Sequence, residues 1–285
     1  MSSDVDHAAG ALRTEDWNRY ISVLFAGSDH RPGLFALYAF NAEIARVRRM
    51  ISDPLPGEVR LQWWRDLLDG VEHGEAAANP TAAALQETIR TYRLPVAALQ
   101  ALIDARVFDL YDDPMPSLND LEGYAGETTS AIFQLACLIL NGGEDPGTAT
   151  LSGHAGVAYS LTDLMRALPY HASRRQAYLP ADLLARHHVD LETVFAGRTT
   201  PELKAALAEL RAHVRHHMAR VREHSAGITD KTAPAFLPLV LIAPYLKILE
   251  RPAHDPLLRP AELSKLRRQW AMWRAASNRL RTLRQ

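Results

Sequence analysis

The sequence predicts an all-α protein, and three observations carry that expectation. Strand signals are scarce, because no segment alternates apolar and polar residues over a useful length. Apolar residues instead recur at spacings of three and four along most of the 285 residues. Pro, Gly and Asp-rich turns punctuate these runs at helix-length intervals, which gives eight or more helices in one domain.

In chain order, Thr14 reads as a cap for a helix through WNRYISVLF, with Glu15 and Asp16 in its first turn. RPGLFALYAFNAEIARVRRMI reads as one continuous helix, followed by EVRLQWWRDLLDGVEHG, which ends at Gly70 or Gly74. AANPTAAALQETIRTYRL stops at Pro95, and PVAALQALIDARVFDLYDD comes next. Ser117, with Asp120 three residues on, resembles a capping box for LEGYAGETTSAIFQLACLILNGG, which stops at Gly142. Thr200, Pro201 and Glu202 supply a cap, a first-turn proline and an acid for the long helix after them. Its seam is Leu203, Leu207, Leu210, Val214, His217 and Val221. Residues 1–13 read as a flexible N-terminus, and 14–285 as one domain ending in a basic helix over about 260–285.

Composition removes several function classes. Lys plus Arg (32) and Asp plus Glu (33) nearly cancel, so no basic field points to nucleic acid. The single cysteine, Cys137, lies in IFQLACLIL and reads as a buried small hydrophobe in a reducing compartment. MSSDVDHAAG has no apolar core, so no secretory signal is expected. PAFLPLVLIAPYLKILE is too short and too proline-broken to span a bilayer and reads as a core segment. These features suggest a cytoplasmic protein, peripheral at most to the inner face of a membrane. There is no P-loop, dinucleotide glycine fingerprint or Ser/His/Asp signature.

Five islands in a fixed order carry a family resemblance: LFALYAFN (34–41), QWWRDLLDG (62–70), YAGETTSAIFQLA (124–136), AYSLTDLMRALPYHASRRQAYLP (158–180) and LSKLRRQWAMWR (263–274). On these the chain resembles the squalene/phytoene synthase family, the head-to-head branch of the trans-prenyl-transferases, from about Trp17 to Trp273. The resemblance implies a single-domain, terpenoid-synthase-like bundle around a central apolar cavity. In catalytic members, two facing helices each carry an Asp-x-x-x-Asp type motif. Carboxylates one turn apart share a face and hold Mg²⁺, which neutralises the departing diphosphate.

Laid on that pattern, this chain places Ala45, Arg46 and Arg49 where the first motif has acids, and Ala167 and His171 where the second has them. Leu161, Thr162, Arg166 and the YLP at 178–180 fix the second register without gaps. Glu43 lies two residues before Ala45, about 200° around the helix, and points elsewhere. Asp163 shares the face of Ala167, and the expectation is that it pairs with Arg46 or Arg49 across the old cleft. Tyr38, Asn41, Asp163, Arg166 and Tyr178 remain as candidate pocket or phosphate-binding residues. Tyr38 and Tyr178 can equally be buried structural tyrosines, and Arg166 a structural ion-pair residue.

Other groups are weaker. His213, His216, His217 and His224 crowd one helix, and His213 and His217 have a zinc-compatible spacing, but there is no nearby Cys and no HExxH, so a solvated basic face with His217 turned inward is expected. Trp63 and Trp64 read as core anchors. Lys265, Arg267, Arg268, Arg274, Arg279, Arg281 and Arg284 surround Trp270 and Trp273 with no acid between. That segment either lies on an anionic membrane or a partner protein, or docks its tryptophans on the domain.

The functional expectation is a non-catalytic member with no metal and no confident catalytic residue. Its style is similar to acid-lacking members such as a mitochondrial assembly factor of respiratory complex I. It would act as an accessory protein on a respiratory membrane complex and hold a prenyl diphosphate, isoprenoid or lipid. The alternative is an active Mg²⁺-dependent transferase joining two prenyl diphosphates head to head.

Overall fold

The computed structural model describes residues 3–71, 79–278, 280 and 283, and among these there are helices and turns but no strand. Gly74, Arg279, Arg281 and Arg284 lie outside the described residues.

The first residues correct an expectation. Ser3–Glu15 forms helix α1, with Asp4 and Asp6 in its first turn and Arg13 in its last, matching the helix dipole. Ala8 and Leu12 are fully buried, and α1 packs on the helices of 31–45 and 80–92. Thr14 lies inside α1, its hydroxyl near the carbonyl of Gly10. The cap of α2 (Trp17–Leu24) is Asp16, whose carboxylate accepts from the Arg19 backbone N–H at 3.0 Å.

The segment expected as one helix from Arg31 is two. α3 (Arg31–Ala45) ends at Arg46, and α4 (Val47–Met50) follows after that single residue. No proline or glycine marks the break. α5 (Pro54–Leu68) is capped by Asp53 and followed by Gly70 at φ +77. α6 (Pro80–Tyr92) is capped by Asn79, and α7 (Val96–Arg106) runs into a tight turn to Leu110. Ser117 caps α8 (Leu118–Ala125), accepting from Asp120 N–H at 3.2 Å. Gly126–Ser130 then widens into one π-type turn before α9 (Ala131–Leu140).

α10 (Ala149–Arg166) is the central helix, in contact with α9, the π-type turn and the helices of 201–223 and 242–249. It crosses the turn so closely at Gly156 that a Cβ there would meet the Ser130 backbone N at 2.4 Å. It stops at Ala167, and α11 (Leu168–Ser173) begins at once with Pro169 in its first turn. Proline offers no N–H, and its ring would clash with the carbonyl four residues back, so α10 cannot continue through it.

α12 (Ala181–Arg186), α13 (Leu191–Phe195) and α14 (Pro201–Glu223) follow. Thr200 caps α14, accepting from Leu203 N–H at 3.2 Å, and the whole expected seam, His217 included, is buried. The apolar 234–250 stretch breaks into α15 (Ala233–Phe236), a tight turn and α16 (Ile242–Leu249). No helix among the described residues is long and apolar enough to cross a membrane.

α17 (Lys265–Ser277) closes the fold. One continuous apolar core joins α1 to Leu283. A smaller cluster of Ile21, Leu241, Tyr245, Leu263 and Met272 fastens α17 to α2 and the turn before α16. Trp64 is buried against Phe40, ring centroids 4.9 Å apart, whereas Trp63 is only partly buried.

Candidate functional site: an arginine-filled cleft between broken helices

A polar cleft of about 500 Å³ opens where the C-terminal ends of α3 and α10 meet α1, α2, α7 and α17. It brings together Asn41, Ala45, Arg49, Asp163, Arg166 and Ala167, with His171 and Tyr178 also on its wall. Two expected residues are absent from the wall. Tyr38 is buried in the core with Arg19 5.4 Å above its ring. Arg46 turns toward Glu15, 3.7 Å away. Glu43, as expected, is not part of the lining.

Four carboxylates line the cleft, and a cation engages each. Glu15 accepts from Arg49 at 2.7 Å and also faces Arg46. Asp16 lies 3.6 Å from Arg19. Asp163 pairs with Arg166, one turn along the same helix. The expected bridge from Asp163 to Arg46 or Arg49 is therefore corrected, because α1 delivers Glu15 to both arginines first. Arg166 is further held by the Ala261 carbonyl at 3.1 Å and lies 3.9 Å over the Tyr245 ring. Burial works against its charge, but Asp163 and its neighbours outweigh this, so it stays cationic.

The fourth acid, like Glu15 and Asp16, is not among the expected pocket residues. Asp109, in the turn after α7, is buried and accepts hydrogen bonds from Tyr124 at 2.7 Å, Tyr178 at 2.8 Å and Arg106 at 3.1 Å. Burial raises both phenols well above their ordinary values, so each stays neutral and can donate. Burial also disfavours the Arg106 guanidinium, but Tyr124 and Asp109 more than offset it. The available signal was an acid set between apolar residues, three places after an arginine, in ARVFDL.

The two motif positions themselves are chemically bare. Ala45 and Ala167 contribute methyl groups at the ends of their helices. His171 sits on α11, edge-on to Tyr178 with centroids 4.7 Å apart, and burial lowers its pKa toward the neutral imidazole. Ala167 closes α10 and caps α11, and the His171 backbone N–H donates to its carbonyl at 3.0 Å, so positions 167 and 171 still lie one turn apart. Among the described residues, no group of three or more His, Cys, Asp or Glu side chains is placed to hold a metal ion.

The wall does keep unspent polar capacity. Asn41 Oδ1 is buried without a partner, as are the Nε–H groups of Arg48, Arg106 and Arg268. Among the described residues, the Arg268 side chain hydrogen-bonds only to the neutral amide of Asn18, at 3.0 Å.

Comparison with known proteins sets this geometry in context. The squalene/phytoene synthase family pattern matches residues 12–274. The Bos taurus protein named NADH dehydrogenase (ubiquinone) complex I, assembly factor 6, is 29% identical over 244 residues, 86% of this chain and 73% of its own length. A presqualene diphosphate synthase of Rhodopseudomonas palustris is 29% identical over 197 residues, covering 67% of this chain and 68% of that protein. Among solved structures, a ligand-bound dehydrosqualene synthase superposes with a TM-score of 0.83 at 15% identity, over 98% of this chain and 97% of its own.

Proposed function

The chain belongs to the squalene/phytoene synthase family, and from that premise we propose that it is a non-catalytic member that assists assembly of a respiratory NADH dehydrogenase. One observation carries the reading. Every carboxylate lining the cleft is engaged by an arginine, and the motif positions 45 and 167 hold methyl groups. Ionisation of a prenyl diphosphate requires Mg²⁺ held by free carboxylates on facing helices. The donor set present here does not fit that role, because its acids are engaged by guanidiniums and the motif positions supply none. Likeness to the assembly factors over 86% of the chain supports the same reading.

The cleft retains cations that suit a phosphate or acidic headgroup, since arginine presents a planar fork of donors. In this reading it holds a prenyl diphosphate or lipid without cleaving it. Deleting the gene in its host, with NADH dehydrogenase assembly and activity as readouts, tests the assembly role. Unchanged complex levels, with no subunit co-purifying, would refute it. A second reading, head-to-head condensation of two prenyl diphosphates, is favoured by the likeness to the presqualene diphosphate synthase. It predicts Mg²⁺-dependent pyrophosphate release from farnesyl or geranylgeranyl diphosphate by the purified protein.

A further inference from the structure

The C-terminal helix has two faces, and only one is explained by packing. Met272 and Ala275 are buried and Ala271 is partly buried, while Arg268 bonds Asn18. At 100° per residue these occupy one side of α17. On the opposite side, Leu266, Trp270 and Trp273 fall within about 60° of one another. They are among the most exposed large apolar residues described, at 79%, 57% and 56%. The expectation that this helix docks its tryptophans on the domain is thus reversed.

Charge accompanies the stripe. Arg267 and Arg274 flank it on one side, and Arg274 lies 5.4 Å over the Trp270 ring. Lys265 lies toward the other, 5.0 Å from the Trp17 ring. No acid occurs from Leu263 to the last residue. Beside the stripe, and sharing Trp270 and Arg274 with it, runs an apolar groove of about 850 Å³ between α14, α16 and α17. Its floor is Leu239, Ile242, Leu246 and their neighbours. Its rim carries Arg215, Arg222, Lys247 and Arg274 against the single carboxylate of Glu250.

We propose that this face of α17 and the adjoining groove dock the protein on a membrane surface carrying anionic phospholipids. An exposed tryptophan pair places apolar rings with a polar edge at the headgroup boundary, the position such side chains favour. The flanking guanidiniums face lipid phosphates, and the excess of cations on the groove rim complements the same charge. A scattered exposed leucine needs no account, but an aligned stripe of one leucine and two tryptophans edged only by cations does. The helix rests on the surface and does not cross it, consistent with its 13 residues.

The test is co-flotation of the full chain with vesicles of phosphatidylcholine alone or with a minority of phosphatidylglycerol. Binding is expected only to the anionic vesicles, weakening as salt is raised. Trp270→Ala with Trp273→Ala should lower partitioning about tenfold per ring, and Arg267→Gln with Arg274→Gln about fivefold per cation. All four side chains are outside the core, so circular dichroism and melting should match the parent. Brominated phosphatidylcholine in the anionic vesicles should quench the parent and spare the Trp270→Phe, Trp273→Phe form. Equal binding to neutral and anionic vesicles, or unchanged binding by the tryptophan variant, overturns the proposal. So does loss of a co-purifying protein in that variant while neither vesicle binds the parent, which would make this a protein-docking face.

Discussion

Replacing Asp109 by Asn tests whether the cleft is held together by the charge at its floor. The side chain keeps its volume and can still accept from one phenol. It can no longer compensate Arg106, whose side chain is largely buried and whose Nε–H already lacks a partner. Breaking a buried pair by neutralising one member costs about 3–5 kcal/mol. The lower half of that range applies, since the cleft borders solvent. For a chain of this size each kcal/mol moves the melting temperature by about 2–4 °C, so a drop near 10 °C is expected. Thermal unfolding followed by circular dichroism, with urea titration alongside, reads both quantities. The companion variant Arg106→Met with Asp109→Asn removes the stranded charge and should recover most of the loss. If Asp109→Asn lies within about 1 kcal/mol of the parent, or if the double variant is no better than the single one, the ion pair is not what stabilises this floor.

Other consequences follow from the same geometry. Ala167→Asp with His171→Asp should release no pyrophosphate with Mg²⁺ and farnesyl diphosphate, because the facing positions Ala45, Arg46 and Arg49 still supply no acid; turnover would show that the acids missing from the second motif alone silenced the site. Glu15→Gln should cost less than about 1 kcal/mol, its arginine partners being partly solvated, while isothermal titration shows tighter binding of inorganic pyrophosphate to the released Arg46 and Arg49. Stability should fall as pH drops below about 6.5, the value of an unperturbed histidine. Burial lowers the folded pKa of both His154 and His217. The unfolded chain therefore takes up protons first, and the stability lost on acidification is fully present above that pH. His217 lies 3.2 Å from Glu122 through Nε2 and 3.0 Å from His154 through Nδ1. It faces His213, His216, His154 and Glu122, and His217→Gln should flatten the melting profile between pH 7.5 and about 5.5. Cys137, its thiol pushed up to about 12 by burial, should react with a disulfide reagent only on unfolding.

What the sequence disclosed depended on whether the signal was local. The seam of α14 was legible because every member obeys one helical period and faces one core. The cap at Ser117 was legible because donor and acceptor lie three residues apart. The stop at Ala167 was equally local, since Pro169 sits two residues on, yet the family pattern drew the eye to the missing acids instead. The break at Arg46 carries no such mark. The partners of Arg46 and Arg49 could not be read at all, because Glu15 reaches them from a helix 31 and 34 residues earlier. Residues 1–13 read as flexible for the same reason, since Ala8 and Leu12 are buried where α1 packs on the distant α3 and α6.

The pairings of the acids also give the cleft a defined structure. In a magnesium site, mutually repelling carboxylates are held together by the ion they bind. Here each acid is satisfied by a guanidinium from the same or another element, so every lining carboxylate is paired before any ligand arrives. Such pairs contribute little net stability, and it is the buried Arg106–Asp109 pair that is costly to break. Glu15 ties α1 to the arginines at and after the end of α3, and Asp109 ties the turn after α7 to Tyr124 and Tyr178, while among the described residues the Arg268 side chain hydrogen-bonds only to the neutral Asn18. On the proposed reading, Mg²⁺ would have to displace a guanidinium from each carboxylate it approached. An anionic headgroup meets the opposite situation, because it adds acceptors where the wall still has donors to spare. Adding magnesium should therefore leave the melting temperature unchanged, whereas inorganic pyrophosphate should raise it. A rise with magnesium alone would mean that the carboxylates are free to bind it, and the reading of the cleft as an arginine-held frame would fail.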